Sequence, residues 1–537
     1  MCTPSFLPVI DHLRAAADDH GNRPALTGRD VLSYGRLYRH VRARAALFTR
    51  AGLRKGDRVA IWASKSAGYV VSLYAAMEVG AAYVPMDGSQ PADRARRIIA
   101  EADPTVLVTD GSRLSKLGGR LPPSVRLVVL LEGAVPSFEG DVALETALPL
   151  DKDPPEEISL PVPEPVEPDD IAAILFTSGS TGTPKGVRIS HGNLDNFIGW
   201  ALAEFDLTTS DVLANHAGFH FDLSTFDLFA GAARGAAVWI IPEDHQGDVA
   251  ALVDGIVRQG VTTLYCVPSL LTMLAGSGLL TPEAVAGLRR VLFAGEVFPI
   301  KHLRALARQL PGDCALYNLY GPTETNVCTW HRVTAGDLDR DQPVALGLPL
   351  PGQRALLLDG DGMEVTAENQ IGELIIAGSC VTPGYFNRVD PHNHANLARG
   401  QHATGDLAMW SGGLLHYCGR KDRMLKINGN RVELGEIEAA LSGFPSTQEA
   451  AVVAVPGGAA YILVAFVSLR DGAGASGIDI KRHCGALLPR YMIPNLIHRL
   501  DALPKNTNGK VDYPALNLLA TVMVEETGRG AAPRLAV

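Results

Sequence analysis

Apolar positions along this chain follow two periods. Short continuous apolar runs at 59–62, 82–85, 105–109 and 125–131 have the length of buried strands. The stretches 69–79 and 94–102 between them repeat apolar residues at helical spacing. Residues 6–17 read as an amphipathic helix with Leu7, Ile10 and Leu13 on one face. Further strands read at 171–175, 238–241, 263–267 and 290–293. Strand alternating with helix predicts parallel α/β layers. The stretch 151–170 is rich in Pro and acidic residues and reads as an exposed loop.

The pattern changes twice. Between 355 and 378, short β-rich runs at 355–358 and 373–376 are separated by Gly turns, which predicts a small barrel or sheet. Near Gly419 a charged stretch begins. Beyond it come a helix at 433–441, strands at 450–455 and 461–469, and a helix at 478–488, a compact α+β unit. Residues 521–537 carry little pattern and read as a mobile tail. No internal repeat is evident.

At 537 residues the chain is too long for one core, so a multi-subdomain body plus a smaller unit is expected. A formal charge of −10, with no dense Lys/Arg cluster to reverse it, disfavours a nucleic-acid surface. Seven scattered cysteines form no C-x-x-C pair, so neither a zinc site nor a disulfide framework is suggested. That usage fits a reducing cytoplasm. The longest apolar candidate for a membrane span, around 70–84, is broken by Glu78 and Gly80.

The densest chemistry lies at 176–186, F-T-S-G-S-T-G-T-P-K-G, directly after the apolar run at 171–175. Gly179, Gly182 and Gly186 permit close backbone approach to a ligand. Thr177, Ser178, Ser180, Thr181 and Thr183 supply hydroxyls, and Lys185 a point charge. Together they suit a polyphosphate. A Walker loop ends in Gly-Lys-Ser/Thr, whereas here Pro184 precedes the lysine and Gly186 follows it.

Four later clusters fit the same chemistry, although each alone also reads as an ordinary polar turn. In 320–324, Tyr320 can stack on a base, Thr323 can donate to phosphate and Glu324 can hold Mg²⁺. In Thr404-Gly405-Asp406, a carboxylate after a tight turn can accept both ribose hydroxyls. The charged stretch 419–429 carries Arg420. In 504–512, Gly509 lets a loop bring Lys510 into a cleft.

In this order and spacing the clusters resemble those of the adenylate-forming superfamily, which includes acyl-CoA synthetases, luciferases and the adenylation domains of nonribosomal peptide synthetases. The likeness covers nearly the whole chain. Leu32-Ser33-Tyr34, the stretch 80–87 and Gly295-Glu296 match the family's other motifs. His402-Ala403 stand where the family has Tyr-Arg, and Met424 where Gln is common.

The resemblance implies an α/β fold. A large N-terminal domain at 1–421, with parallel-sheet layers and a small β-barrel, is followed by a small α+β lid domain at 422–520 and the tail at 521–537, with a hinge at Asp422. It implies two half-reactions: a carboxylate and ATP give an acyl-adenylate and pyrophosphate, and a thiol then takes the acyl group. By resemblance, Thr177, Ser178, Gly179, Ser180, Thr181, Gly182, Thr183 and Lys185 hold the β- and γ-phosphates. Asn318 and Tyr320 frame the adenine, with Gly295 and Glu296 nearby, and Gly321 belongs to the same nucleotide-binding set. Glu324 binds Mg²⁺, Asp406 and Arg420 hold the ribose, and Lys510 serves the adenylating conformation.

The stretch 220–226 matches the substrate-side motif of the amino-acid-activating branch. It puts Asp222 on the carboxylate that holds an α-ammonium, with a helix N-cap as its plain alternative. The other pocket positions carried over are Leu223, Phe226, Tyr265, Leu292, Ala294, Leu319, Val327 and Cys328, with Lys510 closing the pocket. Nearly all are apolar. The set resembles that of stand-alone L-prolyl adenylating enzymes of pyrrole-containing natural products, which load proline onto a separate carrier protein. No carrier-type phosphopantetheine site follows Lys510. A ligase for another small apolar amino acid such as D-alanine, an acyl-CoA ligase and an inactive carrier-binding paralogue are the alternatives. Asp222 speaks against the CoA ligase, and intact Lys185, Glu324 and Lys510 against the inactive paralogue.

Overall fold

A computed structural model describes residues 6–118, 121–135, 142–155, 157–158, 160, 164–179, 184–390, 393–457, 461–470, 474–506 and 510–528. The chain forms two compact units. One comprises Met1–Gly88, Arg96–Thr177 and Lys185–Asp422; the other comprises Ser89–Ala95, Ser178–Pro184 and Arg423–Val537.

The first unit contains a seven-stranded, a nine-stranded and a four-stranded sheet. In the seven-stranded sheet the strands at 59–62, 82–85 and 105–109 foreseen from the sequence pair in parallel. Its edge is an antiparallel pair, Ile171–Thr177 with Lys185–Ser190. That second strand gives no signal of its own in the sequence. The helix Ala67–Glu78 is buried on every side, as expected of a helix apolar all round. Ser190 and Asn193 form a capping box that starts His191–Glu204, each side chain satisfying an otherwise orphaned backbone N–H.

In the nine-stranded sheet, Val212–Asn215, Thr263–Cys266, Arg290–Phe293 and Ala315–Tyr320 run parallel. Alternate residues enter two different cores. Leu213, Tyr265, Leu292 and Leu319 pack into the cluster that also holds Val59, Tyr83, Phe197 and Phe226. Ala214, Leu264, Val291 and Phe293 pack into a second cluster with Leu252, Ile256 and Leu303. Burial of both faces explains why these strands read as unbroken apolar runs.

The small barrel or sheet expected beyond Ala355 is a four-stranded antiparallel sheet. Its strands are Arg354–Leu358, Gly372–Ala377, Gln401–Ser411 and Leu414–Arg420, in that order.

The second unit opens with the hairpin Met424–Ile427/Asn430–Glu433. Its turn residues Asn428 and Gly429 both have positive φ, 50° and 75°, the requirement of a type I′ turn. A three-stranded sheet, Thr447–Pro456, Tyr461–Leu469 and Leu496–Arg499, carries helices. The tail expected from Thr521 begins inside a helix instead. Tyr513–Gly528 is helical, with Leu516 and Ala520 fully buried one turn apart in the cluster that holds Val453 and Phe466. Tyr513, Leu519, Met523 and Val524 pack partly buried against the same cluster, so apolar residues recur at helical spacing into the start of the expected tail. Residues 529–537 lie outside the described residues. No helix among the described residues is long and apolar enough to cross a membrane.

Candidate active site

The loop after Ala315–Tyr320 sets the charged centre. A Cβ at Gly321 would lie 1.5 Å from the Asn326 carbonyl oxygen, so only glycine allows this turn. The turn buries Glu324 completely. Tyr385 donates its hydroxyl to Glu324 Oε1 at 2.8 Å and accepts from Lys185 Nζ at 3.2 Å. Lys185 Nζ also stands 3.7 Å from Glu324 Oε1, 3.7 Å from Asp390 Oδ2 and 4.5 Å from the centre of the Tyr385 ring. His402 Nε2 lies 4.0 Å from Glu324 Oε2. A carboxylate buried this deeply is costly unless paired, and the lysine and phenol meet that cost. Thr323, next to Glu324, is half-buried.

A second charged group lies on the small sheet. Asp406 Oδ2 accepts from the Tyr320 hydroxyl at 2.6 Å, and Oδ1 from Arg420 Nη1 at 2.9 Å. Arg420 also donates to Asp422, from Nε to Oδ1 at 2.8 Å. Burial pulls the Arg420 guanidinium down, but Asp422 and Asp406 outweigh it and hold it above its ordinary value. Burial raises the Tyr320 phenol well above its usual range, and neighbouring Asp406 adds to this, so the phenol remains a donor. Asn318 Nδ2 donates to the Ala345 carbonyl at 2.7 Å. Gly295 takes φ +93°. Glu296 Oε2 accepts from the Ser269 backbone N–H at 3.1 Å, at the start of Pro268–Gly276.

Most of the apolar candidates gather beside one face of the nine-stranded sheet. Tyr265, Leu292 and Leu319 share a cluster with Ala294, Val327 and Phe226, and Leu223 packs at its edge. The Phe226 and Tyr265 rings meet edge to face, 5.7 Å apart at 89°. Cys328 belongs to a different cluster, with Tyr320 and Leu346. Asp222 occupies the N-cap position of Leu223–Thr225, but its side chain makes no capping bond there.

In the second unit, Ser178 Oγ donates to the Arg431 carbonyl at 2.8 Å, and Gly179 belongs to the same unit. Lys510 is exposed. Its backbone N–H donates to Asn506 Oδ1 at 3.0 Å, and its carbonyl accepts from the Asn506 N–H at 2.7 Å. Met424 is buried in that unit. Ser180, Thr181, Gly182, Thr183 and Gly509 lie outside the described residues.

Sequence reasoning missed Tyr385 and Asp390, and treated His402 only as a departure affecting local packing. Their separation in sequence from Lys185 and Glu324 hides them. The one local hint is Gly384, φ +118°, immediately before Tyr385.

Among the described residues no group of three or more His, Cys, Asp or Glu side chains could hold a metal ion by itself. Glu324 offers a hard oxygen donor, which suits Mg²⁺, an ion that takes one or two carboxylates and completes its shell with phosphate oxygens and water.

Comparison with known proteins completes this picture. Residues 13–386 match the model of the AMP-binding enzyme family, and residues 436–510 that of the AMP-binding enzyme C-terminal domain. The chain is 48% identical over 519 residues to an L-proline–[L-prolyl-carrier protein] ligase of Streptomyces coelicolor, covering 96% of this chain and 97% of that protein. It is 39% identical over 490 residues to a protein of the same name from Pseudomonas fluorescens, covering 91% and 94%. The amide bond synthetase McbA from Marinactinospora thermotolerans shares the fold, with a TM-score of 0.83 at 24% identity over 96% of this chain and 99% of that one. Two family models matched in order, and relatives aligned almost end to end, establish that the chain belongs to the AMP-binding enzyme family.

Proposed function

We propose that the protein uses ATP to activate L-proline as prolyl-AMP and then transfers the prolyl group to the phosphopantetheine thiol of a separate carrier protein. The observation that carries this reading is the near full-length similarity to two L-proline–[L-prolyl-carrier protein] ligases. The apolar lining around Phe226 and Tyr265, with Asp222 beside it in sequence, supports it.

In the first half-reaction, proline's carboxylate oxygen bonds to the α-phosphorus of ATP, and the bond from that phosphorus to the bridging oxygen breaks to release pyrophosphate. In this reading Asp222 receives the α-ammonium. Lys185, with Thr177, Ser178, Gly179, Ser180, Thr181, Gly182 and Thr183, holds the leaving phosphates, and Thr323 donates to phosphate. Asn318 and Tyr320 frame the adenine, with Gly295 and Glu296 nearby and Gly321 in the same nucleotide-binding set. Asp406 and Arg420 hold the ribose. Glu324, steadied by Tyr385, would hold Mg²⁺, which when bound supplies charge neutralisation at the phosphates. Lys510 stabilises charge developing between carboxylate and phosphate. In the second half-reaction, after rotation about Asp422, the carrier thiol attacks the prolyl carbonyl and AMP leaves. We place the reaction in the cytoplasm, where ATP and a reduced thiol are both at hand; Cys266, Cys314, Cys328, Cys380, Cys418 and Cys484 are free thiols.

The ring of proline carries no polar atom that needs a partner, and the lining offers almost none. Alanine loses apolar contact, about 0.8 kcal/mol for each missing CH₂. Phenylalanine must displace Phe226 or Tyr265, and overpacking costs roughly 1–3 kcal/mol. Pyrrole-2-carboxylate has no cationic amine to offer Asp222. The test is ATP–pyrophosphate exchange across these four acids, followed by loading of a holo carrier protein. L-proline is expected to give the highest rate and pyrrole-2-carboxylate a rate near background. A faster rate with any of the other three would overturn the proline assignment.

A further inference from the structure

Two buried side chains behind the proposed pocket take no part in the chemistry above. The helix that begins at Leu223 changes geometry at once. Leu223–Thr225 gives way to a π-helical turn, Phe226–Ala230, before Gly231–Arg234 resumes the α form. Single π turns are rare and gather at functional sites. This one buries Phe226 and Asp227 together, 0% and 1% exposed. Asp227 Oδ2 accepts a hydrogen bond from Asn215 Nδ2 at 2.9 Å. The two remaining oxygens, Asp227 Oδ1 and Asn215 Oδ1, are buried and have no hydrogen-bond partner among the described residues.

An ionised carboxylate and a carboxamide oxygen are both acceptors only, so neither can satisfy the other. One proton resolves both. A protonated Asp227 presents an O–H beside the amide that already donates to it, and the two planar groups then share an N–H···O and an O–H···O bond. We infer that Asp227 carries a proton at neutral pH and forms with Asn215 a carboxyl–carboxamide pair that fastens the π-helical turn to the nine-stranded sheet.

The surrounding groups agree with a neutral Asp227. Lys65 is the cation nearby, and its ammonium is engaged elsewhere. Nζ donates to the carbonyls of Asn215 at 2.6 Å and His216 at 3.1 Å and stands 5.6 Å from the centre of the Phe219 ring. Burial lowers Lys65 to about 7, with Asp227 and Glu243 opposing. Burial and Lys65 hold His216 neutral, at about 4. On the adjoining strand, burial pushes Tyr265 and Cys266 up, so both are neutral and bring no charge to Asp227. Burial raises Asp227 itself to about 8, against the Asn215 hydrogen bond and Lys65.

The pair holds one corner of the pocket. Asn215 lies opposite Tyr265 in the sheet register, and Asp227 follows Phe226, whose ring meets that of Tyr265. Asp227 is therefore a positioning residue for the aromatic wall. This last step rests on the proline-pocket reading; the protonation does not.

The test compares Asp227→Asn, whose amide has a donor where the acid has its O–H, with Asp227→Leu, which has none. Infrared difference spectra of wild type against Asp227→Asn at neutral pH should show the loss of a protonated carboxyl band that shifts in deuterium oxide. Thermal melts supply a second readout. The unfolded chain releases this proton near the ordinary aspartate value, about 3.9, and the folded protein near 8. Between the two the folded state holds the extra proton, so wild-type stability declines relative to Asp227→Asn as pH rises through that window. Asp227→Asn should keep the KM for proline, and Asp227→Leu should raise it while the KM for ATP stays constant. Absence of the carboxyl band, or a wild type that gains on Asp227→Asn as pH rises, overturns the protonation. An unchanged proline KM in Asp227→Leu overturns the positioning role. If proline is not the substrate, the spectra and melts still decide the protonation.

Discussion

The Tyr320 hydroxyl donates to Asp406 Oδ2 at 2.6 Å, joining the last parallel strand of the nine-stranded sheet to the small antiparallel sheet. Tyr320 is the proposed adenine platform and Asp406 the proposed ribose ligand, so one bond sets their spacing. A hydrogen bond to a charged group contributes about 1.5–3 kcal/mol. At about 1.4 kcal/mol per tenfold, Tyr320→Phe should lower kcat/KM for ATP by roughly tenfold to a hundredfold. The KM for proline should not move. Exchange assays with ATP varied at saturating proline measure both, and an unchanged ATP dependence would remove Asp406 from the ribose site.

The second prediction concerns Glu324 and its phenol. Tyr385→Phe removes the donor to Oε1 and leaves the carboxylate in place. Loss of such a supporting partner typically weakens metal binding about 10–100-fold. Tyr385→Phe should therefore need more Mg²⁺ for half-maximal exchange and recover at high Mg²⁺, whereas Glu324→Gln should not recover. Chelation of Mg²⁺ should abolish exchange in the wild type. Equal Mg²⁺ requirements in wild type and Tyr385→Phe would refute the support role.

Apolar strands and motifs were legible in the sequence; the contacts between them were not. Strand Arg290–Phe293 has the bounds its apolar run suggested, because burial on both faces leaves no polar interruption. Lys185 and Glu324 were legible as isolated motifs. Their contact was not, because it depends on Tyr385, placed by the antiparallel bridge of Val187 with Tyr385. Pairing across almost 200 residues leaves no periodic trace. The same holds for the antiparallel strand Lys185–Ser190, whose partner and not its composition makes it a strand. At Asp222 the sequence allowed a helix cap or a substrate ligand, and only the folded structure shows that its side chain makes no capping bond from the N-cap position.

Lys510 acts in one half-reaction in the proposed scheme. Lys510→Ala should abolish adenylate formation and leave transfer from pre-made prolyl-AMP to the carrier nearly intact. Rapid-quench assays started with the adenylate separate the steps. Loss of both would contradict the division.

Asp422 needs two variants, because its carboxylate also pairs with Arg420. Asp422→Pro fixes φ and removes the pair, whereas Asp422→Ala removes only the pair. Carrier loading should fall in Asp422→Pro and persist in Asp422→Ala, with adenylation retained in both. Normal loading by Asp422→Pro would remove this residue as the hinge.

The last prediction tests Asp222 through discrimination as well as rate. Asp222 is half-buried in the protein alone, and in the proposed complex proline covers the rest; truncating one partner of a charge pair buried in this way costs about 2–5 kcal/mol. At about 1.4 kcal/mol per tenfold, Asp222→Ala should lower kcat/KM for proline by roughly 30-fold to several thousandfold. Pyrrole-2-carboxylate offers Asp222 no cation, so the wild type is expected to reject it. Asp222→Ala removes a contact that proline's ammonium alone can make, so pyrrole-2-carboxylate should lose much less than proline, and the preference between them should narrow. A residue that served only packing would lower both rates together and leave the ratio unchanged. Exchange rates for the two acids in wild type and Asp222→Ala give the four numbers required, and an unaltered ratio would take the ammonium contact away from Asp222.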